Sequence, residues 1–247
     1  MMTRHARSIG WVVLVAGALV GSLVGGVAGF GTGIIMLPLV GWVLGLRSAV
    51  PVLTVTMAIG NLSRIWWSRG EVDRAVVLRF ALGAMPATAV GTAIYAGAPT
   101  EWLGRFVGLF LLASVPLRRI LATDFFRMRL RHFPVLGVIV GLISGLIVTT
   151  GPLNTPFFLA YGLRRSAYVG TEAVCAMVMH LARGATLARY ALLSWQTLGV
   201  GVVLGATMFA GTWLSRRLLD RMSDRVFLGI IEALLVAMGL QSLLFPR

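Results

Sequence analysis

Lysine is absent from this chain of 247 residues, and acidic residues are scarce. All 22 Lys+Arg positions are arginine, against eight Asp and Glu, which gives a formal net charge of +14. Charged residues make up only 12% of the chain and hydrophobic residues 58%, and the mean hydropathy is +0.90. A soluble domain of this length needs more polar surface to cover its core. The composition excludes a soluble globular protein and predicts an all-α polytopic membrane protein.

The residues that build catalytic centres and metal sites are scarce as well. The chain has one cysteine, Cys175, and three histidines, so no intrachain disulfide can form and no zinc-ligand spacing is present. A Walker A phosphate-binding loop and the Gly-x-Ser-x-Gly turn of serine hydrolases are also missing from the sequence. We therefore predict that the protein is not an enzyme and that it holds no metal or other cofactor.

The positive charge is concentrated in a few places. Fifteen of the 22 arginines fall in four short segments between apolar runs, at residues 64–79, 118–132, 163–165 and 215–225. Arginine-rich short loops are typical of the cytoplasmic side of a membrane protein, whereas nucleic-acid binding needs a continuous basic surface. We assign the charge to orientation in a lipid bilayer and not to nucleic-acid binding. The predicted location is the inner or plasma membrane, with a multi-pass topology.

Apolar runs fill most of the chain, and the longest reach the roughly 20 residues that a bilayer-spanning helix needs. Charged residues or Gly/Pro breaks separate them, and we find no soluble domain between them. The ten runs are residues 9–28, 34–46, 50–65, 75–96, 106–117, 133–149, 153–163, 169–181, 197–214 and 227–244.

The two halves of the chain carry the same ordered series of short motifs. Glycines at intervals of four occur at 21, 25 and 29 and again at 137, 141 and 145. Pro38 matches Pro156, Arg-Ser-Ala at 47–49 matches 165–167, and Gly-Thr at 91–92 matches 211–212. The offset grows only from 116 to 120 residues along the series, as a duplication with short insertions predicts. We therefore predict two homologous repeats of one transmembrane domain, residues 1–123 and 124–247.

The charge pattern predicts how these repeats are oriented. If the four basic segments are cytoplasmic, each repeat consists of a broken, re-entrant helix pair followed by three spans, and the two repeats are inverted relative to each other. Inversion also places the basic N-terminus, with Arg4 and Arg7, outside. The alternative is a parallel repeat of four spans each, which would put segment 215–225 outside against the charge rule.

Each repeat interrupts its apolar sequence with a glycine-containing break, "GFGTG" at 29–33 and "TTGPLNT" at 149–155. Non-helical backbone is tolerated inside a bilayer only where protein or water satisfies it. The free N–H groups and positive dipole of the helix that follows attract anions, as in transporters with discontinuous helices. The breaks therefore predict one anion site at the membrane midplane, formed by Gly31, Thr32, Gly33, Thr149, Thr150, Gly151, Asn154 and Thr155.

A simpler role for the glycines is close helix packing, which small residues four apart support in membranes. This interpretation is favoured for Gly17, Gly21, Gly25, Gly137 and Gly141. It explains less well the glycines two apart at the first break and the Thr-Thr-Gly-Pro sequence at the second.

Polar side chains inside the apolar runs are further candidates, because intramembrane polar residues are usually functional. Asn61 and Arg64 end the third run and His180 and Arg183 end the eighth, and we predict that all four bind substrate. Glu172 and His180 are the predicted carriers of a coupling proton. The alternatives are snorkelling of these side chains at helix ends, and pairing of Glu172 with Arg164 or Arg165.

These motifs resemble the TauE/SafE (TSUP) family of sulfite and organosulfonate exporters. The resemblance rests on "GSLVGGVAGFGTGIIMLPL", on "GVIVGLISGLIVTTGPLNTPFFL" and on the C-terminal sequence from Gly201, and it spans nearly the whole chain. It implies a secondary transporter that exports a small anion, sulfite or an organosulfonate or another sulfur-containing organic anion. The alternatives are a passive anion channel and a membrane assembly subunit that transports nothing.

Overall fold

The computed structural model describes residues 4–28, 32–121, 128–163 and 165–218, and all regular elements in these ranges are helical. Five helical segments are long and apolar enough to cross a membrane: α1, α3, α4, α9 and the segment Leu130–Ile147, which combines a short 3-10 helix with α6. The protein is an all-helical, multi-pass membrane protein. The helices are α1 (Arg4–Ala28), α2 (Thr32–Leu44), α3 (Leu46–Ser68), α4 (Arg74–Gly97), α5 (Thr100–Leu121), α6 (Phe133–Ile147), α7 (Gly151–Tyr161), α8 (Arg165–Arg189) and α9 (Trp195–Leu218).

The helices follow the apolar runs but differ at their ends. Run 34–46 is wrong at its C-terminal boundary, because α2 ends at Leu44 and Leu46 already belongs to α3. Gly45 separates them with φ +85°, a left-handed conformation that favours glycine, and Gly162 does the same between α7 and α8 with φ +107°. Other helices extend past their runs because polar terminal turns keep helical hydrogen bonds. The tenth run, 227–244, lies outside the described residues.

The two short helices fold back along the helices that precede them. A Cβ atom on Gly10, near the start of α1, would lie 2.9 Å from Val43 near the end of α2. Phe133, at the start of α6, packs edge-on against Phe158 and Tyr161 of α7, with ring centroids 5.3 and 5.2 Å apart. Each short helix therefore ends at the level where its long partner begins.

Contacts between helix ends define two sides of the helix bundle. On one side, Arg47 at the start of α3 donates hydrogen bonds to the carbonyls of Ala96 and Ala98 at the end of α4, both at 2.7 Å. On the other side, the backbone N–H of Asp73 donates to Thr171 Oγ1 at 2.9 Å, which joins the start of α4 to α8. Helix α3 thus runs from the Arg47 side to the Asp73 side, and α8 runs in the opposite direction.

Glycines let two pairs of helices approach closely: α4 and α6 meet at their backbones, and a glycine of α1 faces short side chains of α9. A Cβ on Gly141 of α6 would lie 2.6 Å from the carbonyl oxygen of Ala84 in α4, and one on Gly145 would lie 2.6 Å from that of Thr88. Such close approach is possible only without side chains. The packing role predicted for Gly137 and Gly141 is confirmed. Helices α1 and α9 contact each other in a similar way, because Gly26 packs against Thr212 and Ser215.

Helices α3 and α8 lie at the centre of the described bundle. Helix α3 packs against α2, α8 and α9, and α8 packs against α3, α4 and the ends of α6 and α7. Apolar side chains such as Val12, Leu78 and Leu82 are about 70% exposed on the outside, as expected for residues that face lipid acyl chains. The central helices therefore place their polar residues inside the bundle.

Candidate functional site

A small cavity lies at the centre of the bundle, where the start of α2 and the α6–α7 break meet α3 and α8. Its volume is about 30 Å³, which is room for about two water molecules. The site residues that line it come from both sequence breaks and from both central helices. They are Thr32, Arg64, Thr149, Thr150, Gly151, Glu172 and His180. The fold therefore brings these residues together around one cavity, and their binding of an anion stays a prediction.

The start of α2 touches the second break directly. A Cβ atom on Gly33 would lie 2.7 Å from both Cβ and Oγ1 of Thr149, so only glycine fits between the two segments. Thr32 is buried beside it, and its hydroxyl donates to the carbonyl of Gly21 at 2.8 Å. Gly25 also packs against Thr32, so the glycines of α1 make room for a site residue. Gly31 lies outside the described residues.

The second break leaves backbone donors at the cavity wall. Helix α6 ends at Ile147, and Val148 follows with φ +69°, a conformation that is rare for a β-branched residue. Helix α7 begins at Gly151, and the side chain of Thr150 at its N-cap makes no capping hydrogen bond. The N–H of Gly151 has no acceptor within the helix, because the first N–H groups of any helix lack one. This donor and the positive end of α7 lie at the cavity.

Besides Gly33, which packs against Thr149, two residues predicted for this site do not line the cavity. Thr155 donates to the carbonyl of Gly151 at 2.7 Å and shares a hydrogen bond with the hydroxyl of Tyr168, also at 2.7 Å. Its hydroxyl therefore connects α7 to α8. Asn154 is buried, and both polar atoms of its amide lack a hydrogen-bond partner among the described residues.

Arg64 and Glu172 form an ion pair across the centre of the bundle. Arg64 Nη1 lies 3.1 Å from Glu172 Oε2, and the two side chains are 10% and 5% exposed. Arg64 also donates to the side-chain oxygen of Asn61, which is buried next to the cavity wall without lining it. The pair joins α3 to α8, so any movement of one helix relative to the other changes the distance between the two charged groups.

Glu172 pairs with a residue that the sequence did not suggest, and the assignment of Arg64 to a basic loop was wrong because its side chain is buried. Glu172 pairs with Arg64, although 108 residues separate them, whereas the sequence suggested Arg164 or Arg165. Arg164 lies outside the described residues. Snorkelling does not describe Arg64 or Arg183, which are 9% and 0% exposed.

His180 and Arg183 form a second polar pair on α8. Arg183 Nη1 lies 2.9 Å from His180 Nδ1, and Arg183 Nη2 donates to the carbonyl and hydroxyl oxygens of Ser144 on α6. A guanidinium can only donate, so Nδ1 must accept, and the neutral ring carries its proton on Nε2. His180 lines the cavity, and its Nε2 has no partner among the described residues. Arg183 lies behind the ring and does not line the cavity.

Sequence reasoning missed the apolar wall of the cavity and one polar contact. Met57, Val148, Ala176 and Met179 complete the lining. Met57 lies seven residues before Arg64, and Ala176 lies four residues from both Glu172 and His180, so helical spacing places them on the same faces. Ser144 gives no such signal, because its role depends on Arg183 reaching it from another helix.

A comparison with protein families assigns the chain to one of them. The model of the family described as Sulfite exporter TauE/SafE matches residues 13–242, nearly the full length. The chain belongs to this family. No curated protein and no solved structure gave a significant match. TauE/SafE proteins are transporters and not enzymes, so the family predicted from the motifs, the membrane location and the non-enzymatic function are confirmed.

Proposed function

We propose that this TauE/SafE protein is a secondary transporter that exports sulfite or an organosulfonate from the cytoplasm, and that it binds the anion in the central cavity. The observation that carries the proposal is the convergence of two helix starts, Arg64 and the unpartnered Nε2 of His180 on one buried space. Every one of these groups is a hydrogen-bond donor or a positive charge, and the oxygens of a sulfur oxyanion are acceptors.

The lining also suits a substituent on the anion. The polar part of the lining includes the threonine residues and the N–H of Gly151, and the apolar part includes Met57, Ala176 and Met179. Methionine side chains adapt to ligands of different shape. A sulfonate with a short organic group presents both an oxyanion and an apolar surface, and so matches both parts.

The second candidate function is a passive channel, and the walls of the cavity favour a carrier. Arg64 on α3 and Glu172 on α8 both line the cavity and form an ion pair at 3.1 Å. A carrier alternates between open states by moving such helices relative to each other around a central site, whereas a channel needs a permanently open, water-filled path.

The helix arrangement supports two inverted repeats, residues 1–123 and 124–247. The α1–α2 hairpin begins and ends on the Arg47 side, and the α6–α7 hairpin begins and ends on the Asp73 side, near Gly83 of α4. The first helix of each repeat packs against the fourth helix of the other repeat: α1 packs against α9, and α6 packs against α4. Arg69, Arg74 and Arg131 lie on the Asp73 side, which we assign to the cytoplasm of the cell, inside its inner membrane.

Glu172 is the proposed carrier of a coupling proton. Movement of α3 relative to α8 would separate it from Arg64, and a buried carboxylate without a counter-ion takes up a proton. His180 is the weaker candidate of the two predicted carriers. Its Nδ1 already accepts from Arg183, so a second proton on the ring requires this hydrogen bond to break.

The proposed activity is tested with purified protein in liposomes. We expect efflux of radiolabelled sulfite or of a short-chain sulfonate such as methanesulfonate to exceed that of protein-free liposomes, and to saturate with concentration. Saturation distinguishes a carrier from a channel, whose flux also appears as an electrical current. A protein that moves no anion of this panel would be an assembly subunit, and the proposal would be wrong.

Single cysteines test the inverted arrangement. In a Cys175→Ala background, Pro99→Cys and Trp195→Cys are expected to react with a membrane-impermeant thiol reagent added outside intact cells, whereas Glu71→Cys and Arg131→Cys are expected to be protected. All four positions are exposed, and Cys175 is buried. A parallel repeat would place Trp195 on the same side as Glu71. Protection at Trp195 with labelling at Pro99 would therefore contradict inversion.

A further inference from the structure

The charges around the cavity do not cancel. Of the charged side chains that the structure describes, two line the cavity, and these are the ion-paired Arg64 and Glu172. Their charges offset each other. A third charge, that of Arg183, lies directly behind His180.

Arg183 has no counter-ion in the described part of the chain. Its side chain is completely buried, and its hydrogen-bond partners are the ring of His180 and the oxygens of Ser144, all uncharged. Its Nε has no partner at all among these residues. Arginine stays protonated in proteins, so this position holds a full positive charge in a medium of low polarity. Such a charge requires a nearby negative charge.

The neutral ring of His180 lies between Arg183 and the cavity, so it adds no charge of its own to the site. The ring is neutral, because its Nδ1 accepts from Arg183 and its proton sits on Nε2. The Nε2–H is the unsatisfied donor of a residue that lines the cavity. A hydrogen bond from Arg183 to Nδ1 polarises the ring and strengthens Nε2–H as a donor to an anion. The site thus offers an anion one donor, backed by one positive charge that no described residue compensates.

We propose that the cavity selects monovalent over divalent anions, and that Glu172 sets this preference. The inference rests on the proposed anion transport and specifies the charge of the substrate. A monoanion neutralises the Arg183 charge. A dianion leaves one excess negative charge next to the carboxylate of Glu172, and like charges at close range are strongly unfavourable in a buried site.

The test compares methanesulfonate, a monoanion, with sulfate, a dianion, in proteoliposomes. We expect wild-type protein to transport methanesulfonate with an apparent affinity about tenfold or more above that for sulfate. Glu172→Gln keeps the shape of the side chain and an acceptor for Arg64 but removes the negative charge, so the ratio should shift toward sulfate by about tenfold or more. Glu101→Gln, at an exposed acid in the first turn of α5, is the matched control and should leave the ratio unchanged.

A double variant distinguishes the effect of removing the negative charge of Glu172 from the effect of breaking its ion pair with Arg64. Arg64→Gln/Glu172→Gln removes both charges of the pair, so the net charge of the site equals that of the wild type. It should regain the preference for methanesulfonate even if flux is lower. Equal apparent affinities for both anions in the wild type, an unchanged ratio in Glu172→Gln, or a double variant that keeps the shifted ratio would each overturn the inference. Flux of neither anion above protein-free liposomes would instead contradict the proposed function.

Discussion

Replacing Gly33 with leucine is expected to reduce anion flux by about a hundredfold or more while the protein still inserts into the membrane. The start of α2 contacts the second break here, and even a Cβ atom would lie 2.7 Å from the side chain of Thr149. A larger side chain must either enter the cavity or push the two breaks apart. Displacements on the order of 1 Å at a reactive site can cost about a hundredfold in rate, and we expect a loss at least that large. The measurement is sulfite efflux from proteoliposomes.

The matched control is Gly199→Leu. Gly199 lies in α9 and no atom lies within 4 Å of the position where its Cβ would be, so this substitution adds the same side chain to open space. Wild-type flux in Gly33→Leu would show that the first break is not part of the site.

A smaller pair of substitutions tests the same contact if the leucine variant does not fold. Gly33→Ala should reduce flux in the wild-type background. In a Thr149→Gly background, where the opposing side chain is absent, it should cause little further loss. Equal losses from Gly33→Ala in both backgrounds would show that the contact with Thr149 is unimportant.

The second large effect is expected for Glu172→Gln, which should abolish the response of transport to a pH gradient. A one-to-one coupled carrier changes its steady-state accumulation of anion about tenfold for each pH unit across the membrane, since one unit corresponds to about 1.4 kcal/mol. Glutamine keeps the hydrogen bond to Arg64 but cannot release or take up a proton. We therefore expect the accumulation ratio of the variant to be the same with and without an imposed gradient.

His180→Gln serves as the comparison for this coupling experiment. The glutamine amide places a donor near the position of Nε2. The histidine itself is expected to stay neutral during transport, because its Nδ1 accepts a hydrogen bond from Arg183. We expect reduced affinity with an intact response to the gradient. If Glu172→Gln still responds to the gradient and His180→Gln does not, the histidine is the carrier; if both respond, neither residue couples transport to protons.

The sequence was most informative where a residue is unusual for a membrane interior. Gly33, Thr149 and Thr150 stand out because helix-breaking or polar residues in an apolar run require a reason, and Arg64 and His180 stand out because a bilayer excludes polar side chains. Four of these residues line the cavity, and Gly33 packs against one of them, Thr149. The helical class and the family followed from the same signals, and hydropathy located the helices but not their ends, since α8 extends eight residues beyond run 169–181.

Pairings between distant helices were not predictable in this way. Glu172 has neighbouring arginines in sequence, yet it pairs with Arg64 because α3 crosses α8 in the centre of the bundle. Helical spacing placed His180 and Arg183 on one face but did not show that only the histidine reaches the cavity. That distinction depends on Ser144, which accepts hydrogen bonds from the Arg183 guanidinium and holds it against α6.

The glycine contacts between α1 and α9 and between α4 and α6 have a consequence for biosynthesis. Helix α1 is made first and meets its partner only after more than 160 further residues have been synthesised, since α1 ends at Ala28 and α9 begins at Trp195. Until then the face of α1 around Gly26, and Arg64 on α3, lack the contacts that bury them in the finished protein. An N-terminal fragment left by interrupted translation would expose this charged, incompletely packed surface to lipid and become a target for membrane proteases. The native arrangement forms only when the late helices insert beside the early ones.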